Sequence, residues 1–352
     1  MDETIQSTIE EMYGVKLLDT VQTYRGVQFS VQSRPEQRYL LKPAGSPIHR
    51  IVYTYACMRY LYDCAYTGTE LYLLTKDKVP YIMLGNTPYI AIPVFRGHEC
   101  SLEDEQDVLK AARELARMHL AGRGFTRCKA TEYVRHYLPK EYDREPFVRV
   151  DAGKMPDLFA KRCAELKRFQ RLAKKSANPF DCAYVAMASE NIQRAEAICK
   201  SLSEGVYEKA LTQCNTDGAI CHKDYTGHNV LFTGSKTIIL NFDQCSIDLP
   251  ICDLANLIKR RMRKCGWNET DAWHILEAYG SLRNLTREDY LILQLILAFP
   301  QKLWRVVNKY YNSRKTWCEK SCLMKLTEIQ GEQEALDSFL ESLDKRFTGV
   351  YH

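Results

Sequence analysis

The distribution of short β-like segments along the chain is the feature that most limits its possible folds. Five short stretches, each bounded by polar, Gly or Pro residues, have this texture: 15–18, 27–31, 38–42, 81–84 and 89–93. Such runs are typical of successive antiparallel strands. Between the third and the fourth lies a helix, predicted from Pro47 to Asp63 because apolar residues recur there at spacings of three and four. The order predicts a small antiparallel sheet that carries one helix.

After residue 97 the sequence changes to helical periodicity. Three stretches favour helices: 102–120, 156–175 and 184–204. The stretch 123–155 is irregular, and short strand-like runs return between 219 and 243. Further helices are predicted to the end of the chain, with a break at Pro300.

A strand-rich first part followed by a helical part predicts an α+β bilobal architecture. A chain of 352 residues, 45% of them hydrophobic, has enough apolar material for one large two-lobed domain. We expect an N-lobe over residues 1–97 and a helical C-lobe over 98–352, with a functionally important segment at 219–257. This layout is that of protein kinases.

The most informative segment is the loop from His222 to Asn229, which lies between two predicted strands. It matches the H-x-D-x-x-x-x-N pattern of kinase catalytic loops. In that chemistry the aspartate, here Asp224, orients the hydroxyl that attacks, and the asparagine, here Asn229, reaches a Mg²⁺ ion on the nucleotide phosphates. We expect His222 to hold the shape of this catalytic loop rather than to transfer protons.

The motifs around this loop resemble those of a known family. The stretches that carry the resemblance are His222 to Asn229, Leu240-Asn241-Phe242-Asp243, Asp248-Leu249-Pro250 and Asp253-Leu254-Ala255. Together they resemble the CotS-type spore coat proteins, within the wider group of aminoglycoside phosphotransferase-like and choline kinase-like proteins. The resemblance implies a protein-kinase-like fold, synthesis in the mother-cell cytoplasm and then a place in the spore coat among other coat proteins. It also implies ATP and Mg²⁺ as cofactors if the protein is active. Asp253 itself we interpret as structural, at the start of a helix.

The resemblance also implies that Lys42, at the end of the third strand, holds the α- and β-phosphates of ATP. The alternative is an ordinary solvated lysine before Pro43. A kinase lysine is normally fixed by a glutamate of the following helix, but 47–63 contains none. Asp63 is the only acid there and comes late in the helix, so we expect Lys42 to lack its partner.

A second departure concerns the metal site. Asn241 stands where the family has a metal-binding aspartate, and an amide carries no negative charge to hold Mg²⁺. Asp243 is two residues further on and would point to the same side of an extended chain. It either replaces the missing carboxylate, holding Mg²⁺ together with Asn229, or caps a turn. Both readings stay open.

Charge and composition indicate which partners and which cellular compartment to expect. The net charge is only +5, and the densest basic run, 259–264, reads as the solvated end of a helix rather than a nucleic-acid site. No apolar run reaches the ~18 residues of a membrane span, so we expect neither nucleic acid nor membrane as a partner. The N-terminal residues do not resemble a secretory signal. Fourteen cysteines scattered among apolar residues suggest core thiols in a reducing cytoplasm.

Two functional hypotheses follow. In the first, the chain is a coat assembly protein, a pseudokinase whose nucleotide site has degenerated. In the second, it is an active phosphotransferase that acts on a small hydroxyl-bearing compound or a sugar. The sequence favours the first because of Asn241 and the missing glutamate, and the intact loop around Asp224 favours the second.

Overall fold

A computed structural model of the protein describes residues 3–32, 37–139, 142, 144–234, 236–312 and 319–350. The helices are α1 (Glu3–Tyr13), α2 (Ile48–Asp63), α3 (Glu105–Ala121), α4 (Arg127–Tyr137), α5 (Met155–Ala173), α6 (Pro179–Ser203), α7 (Val206–Asp217), α8 (Ile251–Cys265), α9 (Glu269–Gly280), α10 (Arg287–Ala298), α11 (Gln301–Asn312) and α12 (Glu319–Val350). The strands are β1 (Leu17–Thr23), β2 (Gly26–Val31), β3 (Gln37–Pro43), β4 (Ile82–Leu84), β5 (Thr87–Pro93), β6 (His98–Glu99), β7 (Ile220–Cys221), β8 (Val230–Phe232), β9 (Thr237–Ile239) and β10 (Ser246–Ile247). An antiparallel sheet followed by a mostly helical region confirms the predicted kinase-like α+β fold.

The N-terminal sheet has the strand order β1-β2-β3-β5-β4, and all neighbouring strands are antiparallel. Its two faces are both covered because side chains alternate along each strand. Leu41 of β3 joins a cluster with Ile9 and Tyr13 of α1, whereas its neighbour Leu40 faces the larger core that contains α2. Helix α1 was not predicted, because an 11-residue segment with so few apolar positions gives a weak periodic signal.

Two further helices, α4 and α7, lie where no helix was predicted. The stretch 123–155 was expected to be irregular, which is wrong for α4. That helix begins after Thr126, whose side chain accepts the backbone N–H of Lys129. Only three of its residues are buried, namely Ala130, Val134 and Tyr137, so its apolar stripe is too sparse to stand out. Helix α7 is likewise mostly exposed, with only Tyr207 and Cys214 buried.

Two small sheets position the segment 219–257. Strands β8 and β9 form an antiparallel hairpin that β6 extends, and β7 pairs with β10. The segment between α2 and β4 runs parallel to β9, since the N–H of Ile239 donates to the carbonyl of Gly68 at 2.8 Å and Thr69 forms a bridge with Ile239. This contact brings the N-terminal region directly against the loops of the helical region.

One stretch, Arg287–Asn312, is long and apolar enough to pass a length-and-composition test for a membrane span. In the structure it is two helices, α10 and α11, separated at Phe299 and Pro300. Side chains of both helices lie in the protein core, among them Leu293 and Val307. Packing of these side chains gives a structural reason for part of the apolar composition.

Every described cysteine is a free thiol, and most are buried. Burial raises the pKa of the thiols of Cys100 and Cys214 to about 12 in each case, so both stay protonated. Buried protonated thiols behave as small hydrophobic groups. This is the packing role that the sequence predicted for the cysteines.

Candidate functional site

The β8–β9 hairpin brings the two asparagines of the predicted site into contact. Asn229 comes directly before β8 and Asn241 follows β9, so both lie at the open end of the hairpin, where the N–H of Leu240 donates to the carbonyl of Asn229 at 2.8 Å. The side-chain Nδ2 of Asn241 donates to Oδ1 of Asn229 at 2.7 Å. Nδ2 of Asn229 in turn donates to the backbone carbonyl of Asp224 at 2.8 Å and to its Oδ2 at 3.3 Å. These three predicted residues therefore form one hydrogen-bonded chain.

His222 is fully buried beneath this loop. Its Nε2 bonds to the carbonyl of Leu240 at 2.8 Å, so this nitrogen carries the proton, and Nδ1 accepts the N–H of Asp224 at 3.3 Å. Burial lowers the pKa of His222, which keeps the ring neutral. The imidazole thus ties the catalytic loop to the end of β9 and has no exposed nitrogen for proton transfer.

Asp253 fixes the other side of the loop. It lies in the first turn of α8 and is completely buried, and its carboxylate accepts the backbone N–H groups of His222 at 2.6 Å and Lys223 at 2.8 Å. Nε2 of His119, also buried, lies 3.3 Å from Oδ2 of Asp253. Although burial opposes the charge, the hydrogen bond from His119 helps hold the pKa of Asp253 below its usual range. Asp253 therefore has a structural role, but it stabilises the catalytic loop and not the N-terminus of its own helix.

His119, Cys221 and Asp253 also bring potential ligand atoms within 4.8 Å of one another. Their lone pairs and protons are already used, because Sγ of Cys221 donates to the carbonyl of Asp248 at 3.1 Å and Nδ1 of His119 accepts from the Tyr279 hydroxyl at 2.7 Å. We interpret the cluster as a buried hydrogen-bond network that holds the loop, and not as a metal centre.

Glu70 is a site residue that the sequence analysis missed. It lies in the segment beside β9, is 3% exposed, and its Oε1 accepts the backbone N–H of Asn241 at 2.6 Å. Burial raises the pKa of Glu70 to about 7, the charge of Lys42 lowers it, and that of Asp243 raises it. Lys42 and Glu70 are therefore close enough for their charges to interact, and α2 itself supplies no glutamate, as predicted. The carboxylate comes from the segment after α2 instead of from the helix.

Asp63, the only acid of α2, does not serve Lys42. It forms an ion pair with Arg59 at 2.5 Å and accepts a hydrogen bond from the hydroxyl of Tyr133 at 3.1 Å. The signal that identifies Glu70 instead is a lone acid at the start of the apolar run Leu71 to Leu74. A charged residue in such a run is buried only where it has partners.

Asn241 and Asp243 are not related as residues of an extended strand. Asn241 adopts a left-handed conformation, with φ of 59° and ψ of 59°, and 242–244 forms a 3-10 turn. The expectation that the two side chains lie on one side of an extended chain is therefore wrong. Asp243 nevertheless stays close to the site, within reach of a hydrogen bond from the Tyr72 hydroxyl and near enough to Glu70 to affect its pKa.

Asp224, the candidate catalytic base, is accessible. Its side chain is 47% exposed, and Oδ1 lies 3.6 Å from a guanidinium nitrogen of Arg260. The preceding residue, Lys223, has a left-handed backbone with φ of 67°, and its ammonium pairs with the buried carboxylate of Asp248. The loop thus presents Asp224 outward, next to Arg260.

The basic run 259–264 ends helix α8, as predicted, but only part of it is solvated, and the prediction is wrong for Lys259 and Arg261. Lys259 is 8% exposed and Arg261 is 7% exposed. Arg261 binds Asp271 at 2.8 Å and the carbonyl of Leu102 at 2.8 Å, so it fastens α8 to its surroundings. Buried side chains of the run thus alternate with more exposed ones, and several of its residues line a pocket described below.

The structure explains why the first hairpin has a glycine at position 26. Its φ is 143°, and a Cβ atom there would lie 2.1 Å from the carbonyl oxygen of Leu41. The position therefore accepts glycine only. It allows β2 to approach β3, which carries Lys42.

The donor set fits a Mg²⁺-nucleotide site in position but not in charge. The carboxylates of Asp224 and Glu70 contact the two asparagines, and the charges of Asp243 and Lys42 are close enough to act on Glu70. However, Oδ1 of Asn229, the atom that would coordinate Mg²⁺, already accepts the amide hydrogen of Asn241. The residue that should contribute a negative charge contributes an N–H donor instead.

Comparisons with known proteins agree with this layout. A family model with the description "Spore coat putative kinase YutH" matches residues 6–343. Spore coat protein S of Bacillus subtilis is 26% identical over 220 residues, which cover 61% of this chain. The match spans 63% of the length of that relative.

Solved structures show the same fold. The crystal structure of an aminoglycoside phosphotransferase from Alicyclobacillus acidocaldarius superposes with a TM-score of 0.77 at 20% identity, covering 95% of this chain and 93% of the other. Spectinomycin phosphotransferase, solved in complex with ADP and spectinomycin, superposes with a TM-score of 0.56 at 12% identity, covering 98% of each chain. At these identities the likeness shows the fold alone.

Proposed function

Since the chain belongs to the YutH family of spore coat proteins, we propose that it serves in assembly of the endospore coat and that its nucleotide site has degenerated. Its partners are other coat proteins. Synthesis in the mother-cell cytoplasm precedes incorporation into the coat. The kinase fold is retained as a rigid body, and tight Mg-ATP binding is not part of this role.

One observation carries the proposal. The amide of Asn241 donates to Oδ1 of Asn229 at 2.7 Å, which occupies the oxygen that a metal would need. Mg²⁺ prefers oxygen ligands, usually including carboxylates, in strict octahedral geometry. A metal would have to break this hydrogen bond and would gain no charge from Asn241. Glu70 adds to the cost, because its raised pKa means that part of it is protonated near neutral pH.

A calorimetric titration with Mg-ATP tests the proposal. We expect a dissociation constant in the millimolar range or no measurable heat, and no shift of the melting temperature at 1 mM nucleotide, about the concentration at which such weak binding begins to be populated. Binding in the micromolar range would contradict a degenerate site.

Restoring the missing negative charge should strengthen the binding of Mg²⁺. In Asn241→Asp the side chain becomes a carboxylate and can no longer donate to Asn229, so we expect the affinity for Mg-ATP to rise about tenfold, or ~1.4 kcal/mol. The gain should require Mg²⁺ and disappear in EDTA. Asn241→Ala is the matched control, because it frees the Asn229 oxygen without adding charge and should give a smaller gain. Equal affinities for the two variants would show that charge is not what the site lacks.

A second candidate function is an ATP-dependent phosphotransferase acting on a small hydroxyl-bearing or sugar substrate. It is favoured by the half-exposed carboxylate of Asp224 and by Glu70, which supplies the carboxylate near Lys42 that α2 lacks. In this role Asp224 would accept a hydrogen bond from the substrate hydroxyl and orient it, and Lys42 would bind the α- and β-phosphates of ATP. Mg²⁺, held by Asn229 and Asp243, would neutralise charge on the phosphates.

Phosphate release from ATP, measured with and without candidate acceptors, separates the two roles. Under the assembly role we expect turnover no faster than that of Asp224→Asn. Under the phosphotransferase role, Asp224→Asn should lower turnover by at least a hundredfold, the usual range for loss of a general base. Turnover that is real and unchanged in Asp224→Asn would exclude Asp224 as its base.

A further inference from the structure

A pocket of about 480 Å³ lies in the helical region, beside the loop that carries Asp224. Its wall is unusually rich in cations from three helices: Arg162 of α5, Lys259, Arg260 and Arg263 of α8, and Arg305 of α11. The acids of the wall, Asp151 and Asp248, are already neutralised. Asp151 pairs with Arg149 at 2.9 Å and Lys154 at 3.0 Å, and Asp248 pairs with Lys223.

Four of these cations lie in the wall without ion pairs to the described residues, and the charges of Glu165 and Glu332 offset those of Arg162 and Arg263 only in part. In the part of the chain that the structure describes, none of Arg162, Lys259, Arg263 and Arg305 forms an ion pair with a carboxylate. The Nε atoms of Arg162 and Arg263 are buried and have no hydrogen-bond acceptor. Buried donors without acceptors cost free energy. An arrangement of this kind is costly unless something outside the chain supplies the acceptors.

Lys259 shows the strain of this cluster most clearly. Its side chain is 92% buried and donates to the carbonyl of Ile296. Burial, together with the charges of Arg263, Arg305 and Arg162, lowers the pKa of Lys259 to about 7. A bound anion would reverse both effects, because it would supply the missing negative charge in a site that water reaches poorly.

The remaining wall is apolar. Phe159 and Phe299 stack there with ring centroids 3.9 Å apart, and Met155 and Leu158 lie beside them. The pocket is therefore much larger than one inorganic phosphate needs, and one side of it, next to the cations, is apolar. Such a combination suits an anion with a compact organic body.

We propose that this pocket binds a small organic polyanion, of the sugar phosphate class, next to Asp224. The anionic groups bind Arg162, Lys259, Arg263 and Arg305, and the body of the ligand lies against Met155 and Leu158. A cationic ligand is repelled by the same groups. The inference goes beyond the proposed function, since it needs neither nucleotide binding nor phosphoryl transfer.

The position of Arg260 links the pocket to the loop. Arg260 lines the pocket and pairs with Asp224 at 3.6 Å, and both side chains are about half exposed. A phosphate in the pocket competes for this guanidinium, because bidentate Arg–phosphate bonds are stronger than a long exposed ion pair. Occupation of the pocket thereby frees the carboxylate of Asp224.

Calorimetry with fructose 1,6-bisphosphate, without nucleotide or Mg²⁺, tests the proposal on the full chain. We expect saturable binding at one site that weakens steeply with added salt, and no binding of fructose or choline. Arg305→Gln, at an exposed position, should weaken binding at least tenfold without lowering the melting temperature. Arg171→Gln removes an exposed arginine from α5, far along the helix from Arg162, and should bind as the wild type does.

Two further variants keep the test decisive. Lys259→Met should abolish binding while leaving the melting temperature at or above that of the wild type, because it removes an uncompensated buried charge; a purely structural lysine would lower it. Lys42→Ala should bind normally, so a loss there would assign the ligand to the nucleotide site and overturn the proposal. The proposal is also overturned if no binding is seen, or if a single-stranded oligonucleotide binds and the bisphosphate does not displace it.

Discussion

Asp253→Ala is expected to lower the free energy of unfolding by about 3–5 kcal/mol, the usual cost of removing one partner from a buried charged network. The carboxylate accepts two backbone N–H groups, at 2.6 and 2.8 Å, and contacts the buried His119. Alanine leaves all three donors without an acceptor in a site closed to water. Urea unfolding followed by circular dichroism measures the loss.

The controls for this prediction separate the loss of the hydrogen-bond network from the loss of side-chain volume. Asp253→Asn keeps the size and one acceptor oxygen, so it should cost less than alanine, and Asp63→Asn at the surface of α2 should change stability by less than about 0.5 kcal/mol. A cost below about 1 kcal/mol for Asp253→Ala would mean that water replaces the carboxylate. The loop would then be held by its other contacts, those of His222 and Asn229 and the pair between Lys223 and Asp248.

The fold was predictable from sequence because its signals are local. The short bounded runs of β2, β3 and β5 and the helical spacing in α2 are properties of neighbouring residues, and each of these elements forms where its pattern occurs in the sequence. Helices α1, α4 and α7 were missed for the opposite reason. These helices bury few side chains, so their apolar residues give only a weak periodic pattern in the sequence, even though each helix forms.

The loop of the candidate site was also predictable, because the residues that define it occur at a fixed spacing in the sequence. His222, Asp224 and Asn229 lie within eight residues, and the hairpin that follows returns Asn241 to Asn229. The left-handed backbone at Asn241 was not visible in the sequence. It redirects Asp243, so its predicted orientation depended on a conformation that the chain does not adopt.

Residues that meet only through the tertiary structure escaped the sequence analysis. Glu70 reaches Asn241 across 171 positions, and no periodic rule connects the two. The pocket cations come from α5, α8 and α11, so the run at 259–264 seemed an isolated basic patch. Only the packing of the three helices shows that Arg162 and Arg305 join Lys259 there.

Glu70→Gln is expected to make the protein more stable at pH 8 and to have little such benefit at pH 5. Below pH 4.5 Glu70 is protonated in both the folded and the unfolded state. Between pH 4.5 and about 7 the unfolded state releases the proton first, so the stability of the wild type falls as the pH rises. The displacement of the pKa from 4.5 to about 7 corresponds to about 3 kcal/mol.

Glutamine keeps an oxygen for the N–H of Asn241 but does not ionise, so the difference in unfolding free energy between Glu70→Gln and the wild type should grow by about 3 kcal/mol from pH 5 to pH 8. Urea unfolding at several pH values measures it, with the exposed Glu11→Gln as a control that should follow the wild type. A constant difference across this range would show that water or Lys42 compensates the charge. A stabilising substitution here would mean that the buried carboxylate is kept at a cost, as expected of a residue retained for binding.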